Sequence, residues 1–397
     1  MGQLAIFGGK PVRETPIYYG HQFIDEKDIA AVVDVMKSDF LTCGPEITKL
    51  EKKLSALTGA RYAVAVSSGT AALHGACYAA GASNGDEVVT TPMTFAASAN
   101  CALYLGAKPV FADIDPRTYN ISPEEIRKQV SKAAKAVVAV DFTGQAAEIE
   151  EIREICRENK LVLIEDAAHS LGTIYKGKPV GSLADMTTFS FHPVKTVTGG
   201  EGGAIVTDNE EYYRKLLLFR SHGITRDSSQ MDRAPDGDWY YNQIGLGYNY
   251  RMTDMQAALI SSQLDKLELF KERRRQIAAR YNKAFQDMPE VVLQEEIAAS
   301  DTARHLYILQ FRLERLSATR KEIFDALKAE NVCCNVHYIP VYYFKYYRKM
   351  GYKKGLCPNA EALYERMITI PLYYSMTDGD VDSVIEAVKK VVTYYRK

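Results

Sequence analysis

The stretch TTFSFHPVKTVTGGEGG (residues 187–203) decides how this chain is read. Thr187, Thr188, Phe189, Ser190 and Phe191 form a run of β-type residues, suited to a pleated strand. The run delivers Lys195 into the glycine-rich turn Gly199-Gly200-Glu201-Gly202-Gly203. Such loops occur at many turns, but this one directly follows a lysine and allows close backbone approach at whatever centre that lysine serves. Upstream, the apolar run Leu161–Ile164 ends in the acidic pair Glu165-Asp166. A carboxylate and a lysine thus stand at successive strand ends.

Outward from this stretch, residues from about 60 to 207 alternate short β-rich runs with helical ones. The expected strands are 61–68, 86–92, 108–114, 134–142, 160–167, 186–191 and 202–208, and helices are expected at 70–80, 95–105, 123–130 and 148–159. Strand–helix–strand repetition implies an α/β fold with a large, mixed but mostly parallel sheet covered on both faces. Ligands of such sheets bind at the carboxyl ends of the strands. A long helical segment, 253–285, is expected to lead out of this domain. Strand-like 305–313, helix 317–330, strand 331–338 and a C-terminal helix from Asp378 then make a small α/β domain. The division is placed at 1–255 for an N-terminal arm and large domain, and at 256–397 for the linking helix and small domain.

The chemistry gathers at strand ends. Ser67-Ser68-Gly69-Thr70 closes a strand and opens the helix AALHGACYAAG. Free amides and the dipole at a helix start make an anion site, and Gly69 permits close approach to a phosphate; a plain Ser/Thr-capped helix is the alternative. A phosphate site, a lysine and a carboxylate together are what pyridoxal phosphate (PLP) requires. The lysine condenses with its aldehyde, and the carboxylate keeps its pyridine nitrogen protonated. On this reading Lys195 and Asp166 take those roles, although Asp166 alone reads equally as a strand-end cap or surface acid. His169 would lie near the ring or its 3-oxygen, or else be an ordinary core or surface histidine. Ser190 could add a phosphate contact or be a simple strand-end serine. Phe95, in TTPMTFAASAN, is a candidate ring-stacking aromatic, with core packing as its alternative.

Composition bounds the rest. The 397 residues suffice for about two domains, and 47% apolar with 25% charged content is that of an ordinary globular chain. Net charge is −1, and the basic cluster Lys271-Glu272-Arg273-Arg274-Arg275 lies in an alternating-charge helical segment, read as a solvated helix face. Nucleic acid is therefore not an expected partner. Neither a secretion signal nor an apolar run long enough to span a membrane is visible, so no membrane association is expected. Seven irregularly spaced cysteines point to a reducing, cytoplasmic setting rather than a disulfide framework. Adjacent Cys333-Cys334 do not have metal-ligand spacing and read as buried strand residues, and no metal is expected.

The chain resembles the DegT/StrS-type sugar aminotransferases, PLP enzymes of the aspartate-aminotransferase fold type I, over nearly its whole length. The carriers are SSGTAAL (67–73), TPMTFAASANCALYLGAKPVFADID (91–115), IEDAAHSLG (164–172), FSFHPVKTVTGGEGGAIVTD (189–208), GYNYRMTDMQAAL (247–259) and VHYIPVYY (336–343). Within the family, SFHPVK followed by TGGEGG looks most like the aminotransferases of pseudaminic acid biosynthesis. Those convert a UDP-linked 4-keto-6-deoxy N-acetyl-hexosamine to its 4-amino derivative. The resemblance implies L-glutamate as amino donor, Lys195 as the lysine that holds the cofactor and moves the substrate proton, Asp166 on the pyridinium, and Gly69, Thr70 and Ser190 on the phosphate. It implies that Asn249 reaches the phosphate of a neighbouring subunit's cofactor and that Arg251 contacts the substrate diphosphate, so that the site needs a homodimer. From the residues alone, these two read as a helix-start cap and a surface arginine. His337 and Tyr338 match a substrate-side segment. The alternatives are an aminotransferase for a 3-keto or dTDP-linked sugar, a PLP-dependent sugar dehydratase, or an idle homologue. The dehydratases carry histidine where Lys195 stands.

Overall fold

Among the described residues, seven short strands with apolar side chains on both faces build a central sheet. They are β1 (Tyr62–Val66), β2 (Glu87–Thr90), β3 (Lys108–Phe111), β4 (Ala134–Val140), β5 (Val162–Asp166), β6 (Met186–Ser190) and β7 (Gly203–Thr207). Their order is β1-β7-β6-β5-β4-β2-β3. Pairing is parallel except at β7, which runs antiparallel to both β1 and β6. The structure is a computed structural model that describes residues 3–298 and 300–397.

The helices around the sheet are α1 (Glu26–Met36), α2 (Pro45–Thr58), α3 (Gly69–Ala79), α4 (Ala97–Leu103), α5 (Pro123–Gln129), α6 (Ile149–Asn159), α7 (Glu210–Arg220) and α8 (Asp254–Leu264). Side chains alternate across each strand, and the core divides accordingly. Ala63, Ala65, Val137, Ala139, Leu163 and Phe189 face α2, α5, α6 and α8. Val64, Val66, Ala136, Val138, Ile164 and Met186 face α3, α4 and α7. The strands read as continuous apolar runs because both faces are buried.

Beyond the sheet, α9 (Leu267–Phe285), α10 (Arg320–Ala329) and α11 (Asp378–Tyr395) pack on an antiparallel sheet of β8 (Val291–Leu293), β9 (Tyr307–Phe311) and β10 (Met367–Ile370). Leu309, Phe311, Ile368 and Ile370 face those helices, together with Leu4 and Ile17 from the N-terminal arm. Ile308 and Met367 face the other way, onto Met93, Phe111 and Phe142. That shared layer fixes the small sheet against the strand ends of the large one. Among the described residues, no helix is long and apolar enough to cross a membrane.

Three local expectations are corrected. The segment 253–285 is two helices, not one: the chain turns at Asp265–Lys266, where Lys266 pairs with Asp25 at 2.9 Å and Asp28 at 2.6 Å. The strand expected over 331–338 shrinks to Val332–Cys333, paired with Ile17–Tyr18; Cys333 and Cys334 are half-buried free thiols. The basic cluster is not a solvated face throughout, since Lys271 and Arg274 are each only 3% exposed. Arg274 donates to the backbone oxygens of Arg304, His305 and Leu372, and burial pushes its pKa down to about 10.

Candidate active site

Strand alternation splits the acidic pair at the end of β5. Asp166 shares the face of Ile164 and turns toward α3 and α4, whereas Glu165 shares the face of Leu163. Glu165 bonds Thr187 Oγ1 at 2.9 Å and meets the buried Asp141. Burial pushes the Glu165 carboxyl up to about 7 and the Asp141 carboxyl well above its usual value, helped by the nearby Glu165. On its own face Asp166 is 4% exposed. Its Oδ2 accepts from Ser98 Oγ at 2.7 Å and its Oδ1 from the Ala168 amide at 3.2 Å. Burial pushes its pKa up, opposed by those bonds and by Lys195.

Register brings the other parts alongside. Asp166 pairs with Thr188, Ser190 with Gly203, and Gly203 with Val66. The ends of β5 and β6 therefore stand beside the end of β1, which runs into α3. Ser68 caps α3, accepting from the Ala71 amide at 3.1 Å, and the first amides of the helix have no intrahelical acceptor. A Cβ on Gly69 would lie 2.8 Å from Ser190 Cβ and 3.0 Å from its Oγ, and one on Gly203 would lie 2.3 Å from the Ser68 carbonyl oxygen. Glycine at both positions lets the helix start and two strand ends converge. The serine cap of the alternative reading is present, and it leaves the Gly69 and Thr70 amides without an intrahelical acceptor.

These groups line one cleft of about 620 Å³, which also contains Lys195, His169, His337, Tyr338 and Phe95. Lys195 sits in the turn after β6, its amide bonded to the His192 carbonyl at 2.9 Å. Burial pushes its ammonium down to about 8, against the pull of Asp166. His169 is buried; its Nε2 is 3.1 Å from Tyr338 Oη, its Nδ1 has no partner, and its ring centroid is 4.4 Å from that of His305. Burial holds the pKa of His169 well below the usual value and that of His337 at about 4, so both rings are neutral at pH 7. The alternative of core packing does not hold for Phe95, which is 63% exposed on the cleft wall.

Asn249 and Arg251 lie outside the cleft lining. Neither serves as the helix-start cap, a role taken by Thr253 in a capping box with Gln256. Asn249 is exposed on a segment bridged to Ser221. The rings of Tyr248 and Tyr250, stacked 5.0 Å apart, anchor that segment on His74 and Phe219.

Sequence reasoning missed Ser98, Thr94 and His305, all of which line the cleft. Ser98 lies in a quoted segment, but a buried hydroxyl in a run of small residues carries no spacing signal. His305 is set by backbone bonds, its amide on the Thr143 carbonyl at 2.8 Å and its own carbonyl on Arg274. Among the described residues no group of three or more His, Cys, Asp or Glu could hold a metal ion.

The site fits PLP by its donor set: free helix-start amides in a cradle that a Cβ would fill, one carboxylate for the ring nitrogen and one amine for the aldehyde. Two expectations follow. Gly69→Ala forces Ser190 aside and should weaken PLP affinity roughly tenfold or more, as overpacking of 1–3 kcal/mol implies, measured by titrating the apo-protein. A lysine with a pKa of about 8 is about one-tenth free base at pH 7. The rate of PLP uptake by apo-protein should therefore rise with pH and level off above about 8, where an unperturbed lysine would keep accelerating toward 10.5.

Comparison with known proteins agrees with this geometry. Residues 22–389 match the DegT/DnrJ/EryC1/StrS aminotransferase family model. The chain is 42% identical to the spore coat polysaccharide biosynthesis protein SpsC of Bacillus subtilis, over 94% of this chain and 96% of that one. The PLP-form of Spr1654 from Streptococcus pneumoniae, described as a sugar aminotransferase, superposes with a TM-score of 0.89 at 30% identity, covering 96% of this chain and 99% of that one. Helicobacter pylori PseC, an aminotransferase involved in the biosynthesis of pseudoaminic acid, gives 0.89 at 29% identity, covering 96% and 100%. With the lysine, the carboxylate and the anion cradle in one cleft, the chain belongs to the DegT/DnrJ/EryC1/StrS aminotransferase family and is a pyridoxal-phosphate-dependent transaminase.

Proposed function

We propose that this enzyme transfers the amino group of L-glutamate to a nucleotide-linked 4-keto-6-deoxy sugar, UDP-4-keto-6-deoxy-N-acetyl-hexosamine, giving the 4-amino sugar. The observation that carries the reading is that Lys195 and Asp166 face the same cleft beside the free start of α3. The likeness to PseC and SpsC supports a sugar substrate. When bound, PLP supplies an aldehyde and a protonated ring that withdraws electrons from the carbon being deprotonated. The Gly69 and Thr70 amides and the Ser190 hydroxyl hold its phosphate, and Asp166 keeps its ring nitrogen protonated. Lys195 takes the proton from the donor's Cα, a task suited to an amine whose pKa lies near working pH. His169 and Tyr338 hold the ring side of the cleft, while Phe95 closes its wall. His337 faces the sugar. Its Nδ1 stands 3.0 Å from Thr369 Oγ1 and its Nε2 3.3 Å from Asn335 Nδ2, which fixes the ring's orientation.

The enzyme works as a cytoplasmic homodimer in this reading. Asn249 and Arg251, exposed or half-exposed on an anchored segment away from their own cleft, reach the partner's cofactor phosphate and substrate diphosphate. Glutamate and sugar use one site in turn, so parallel lines in double-reciprocal plots are expected. The test is to load the enzyme with pyridoxamine phosphate and offer UDP- and dTDP-linked 3-keto and 4-keto sugars. Fastest conversion of the UDP-4-keto N-acetyl sugar supports the assignment; turnover confined to a 3-keto or dTDP-linked sugar overturns it.

A further inference from the structure

The carboxylate that faces the cleft is held by a chain of hydroxyls that enters from α4. Ser98, the second residue of that helix, is 2% exposed and Thr94 is 3% exposed. Ser98 Oγ lies 2.7 Å from Asp166 Oδ2 and 2.7 Å from Thr94 Oγ1. An ionised carboxylate only accepts hydrogen bonds, and a serine hydroxyl has a single proton to give. Ser98 therefore spends its proton on Asp166, and Thr94 must donate to Ser98. The chain runs one way, Thr94 to Ser98 to Asp166, and it keeps that direction while Asp166 is charged. With the Ala168 amide on Oδ1 at 3.2 Å, both oxygens are tied, which sets the rotation of the carboxylate. Its two acidic neighbours, Glu165 and Asp141, sit on the opposite face of β5, and the Ser98 hydroxyl, the Ala168 amide and Lys195 oppose the burial of its charge.

We propose that Ser98, oriented by Thr94, is a positioning residue that keeps Asp166 ionised and aimed at the cofactor's ring nitrogen, and so governs how fully that ring is protonated. The inference rests on the reading of Asp166 given under Proposed function. Loss of the Ser98 hydroxyl leaves the buried anion less stable. The proton shared with the ring then shifts toward the carboxylate, and the ring withdraws electrons less strongly.

The test compares Ser98→Ala, Ser98→Cys, Thr94→Val and Asp166→Asn with the unmodified enzyme. Alanine leaves a small gap whereas cysteine fills the site with a somewhat larger, weakly donating thiol, so a loss common to both follows the hydrogen bond rather than the packing. In Ser98→Ala and Ser98→Cys, affinity of the apo-protein for pyridoxamine phosphate should fall about tenfold or more, the scale of a hydrogen bond to a charged group. Their ultraviolet–visible spectra should move toward the unprotonated ring. Their kcat should fall roughly ten- to a hundredfold, with KM for glutamate nearly unchanged, and Thr94→Val should shift all three the same way by less. The proposal is overturned if Ser98→Cys binds, absorbs and turns over like the unmodified enzyme while Asp166→Asn loses these properties. If Asp166→Asn also behaves like the unmodified enzyme, the assignment of Asp166 itself fails.

Discussion

Lys195→Ala should give a folded protein that lacks the absorbance of a lysine-linked cofactor and whose turnover is down by a factor of about 10⁴ or more. A positioned general base contributes 10²–10⁴-fold, and this lysine is also the covalent anchor of the cofactor. The cleft offers no substitute amine. Two of its histidines are poor replacements: burial holds His169 well below its usual pKa and His337 at about 4, so both are weak bases. Removing an amine whose charge is destabilised by burial should not harm the fold, and the apo-protein's melting temperature should match that of the parent enzyme. A small added amine should restore part of the proton transfer without restoring the colour of the lysine-linked cofactor. The measurement is the absorbance change on adding L-glutamate. A change at the parental rate in Lys195→Ala would remove this residue from the chemistry.

The parts of the site that repeat a strand–turn–helix rule were legible in the sequence. Lys195, Asp166 and the Ser68–Thr70 helix start each close or follow an apolar run, and a parallel sheet gathers such ends in one place. The same rule hid the split of Glu165 from Asp166, which depends on alternation across β5 and on which helices cover each face. Residues set by non-local backbone contacts gave no signal. His305 is placed by Thr143 and Arg274, distant in sequence. Arg274 looked like surface charge because periodicity cannot show that three carbonyl oxygens converge on it. The break at Asp265–Lys266 was invisible for a similar reason, since the carboxylates that draw Lys266 come from α1. At the 331–338 segment the β-type residues suggested a strand longer than the one that forms. Only Val332 and Cys333 found a partner strand, in the N-terminal arm, and residues 335–338 line the cleft.

Asp166→Asn is the second large effect, and it separates function from stability. Asparagine keeps the shape of aspartate, and its side-chain oxygen can still accept from Ser98 or Ala168. It cannot hold a positive charge on the ring nitrogen. The electron sink then fails, and kcat should fall about 10³-fold, the range of a lost group that stabilises developing charge, while KM for glutamate changes little. Stability should move the other way. Burial raises the folded-state pKa of Asp166 above its unfolded value, so between those two values the native state binds more protons than the unfolded state. Stability conferred by this site is therefore lost as pH rises through that window, and at pH 7–8 the ionised carboxylate is a net burden on the fold. The apo form of Asp166→Asn should melt at the same temperature as the parent or higher at pH 8, with the gap closing as pH falls toward the carboxylate range. Such an inverse relation marks a charge retained for chemistry at the expense of stability. A variant that loses activity and melting temperature together would make Asp166 a structural residue, and the cleft would need another partner for the ring nitrogen.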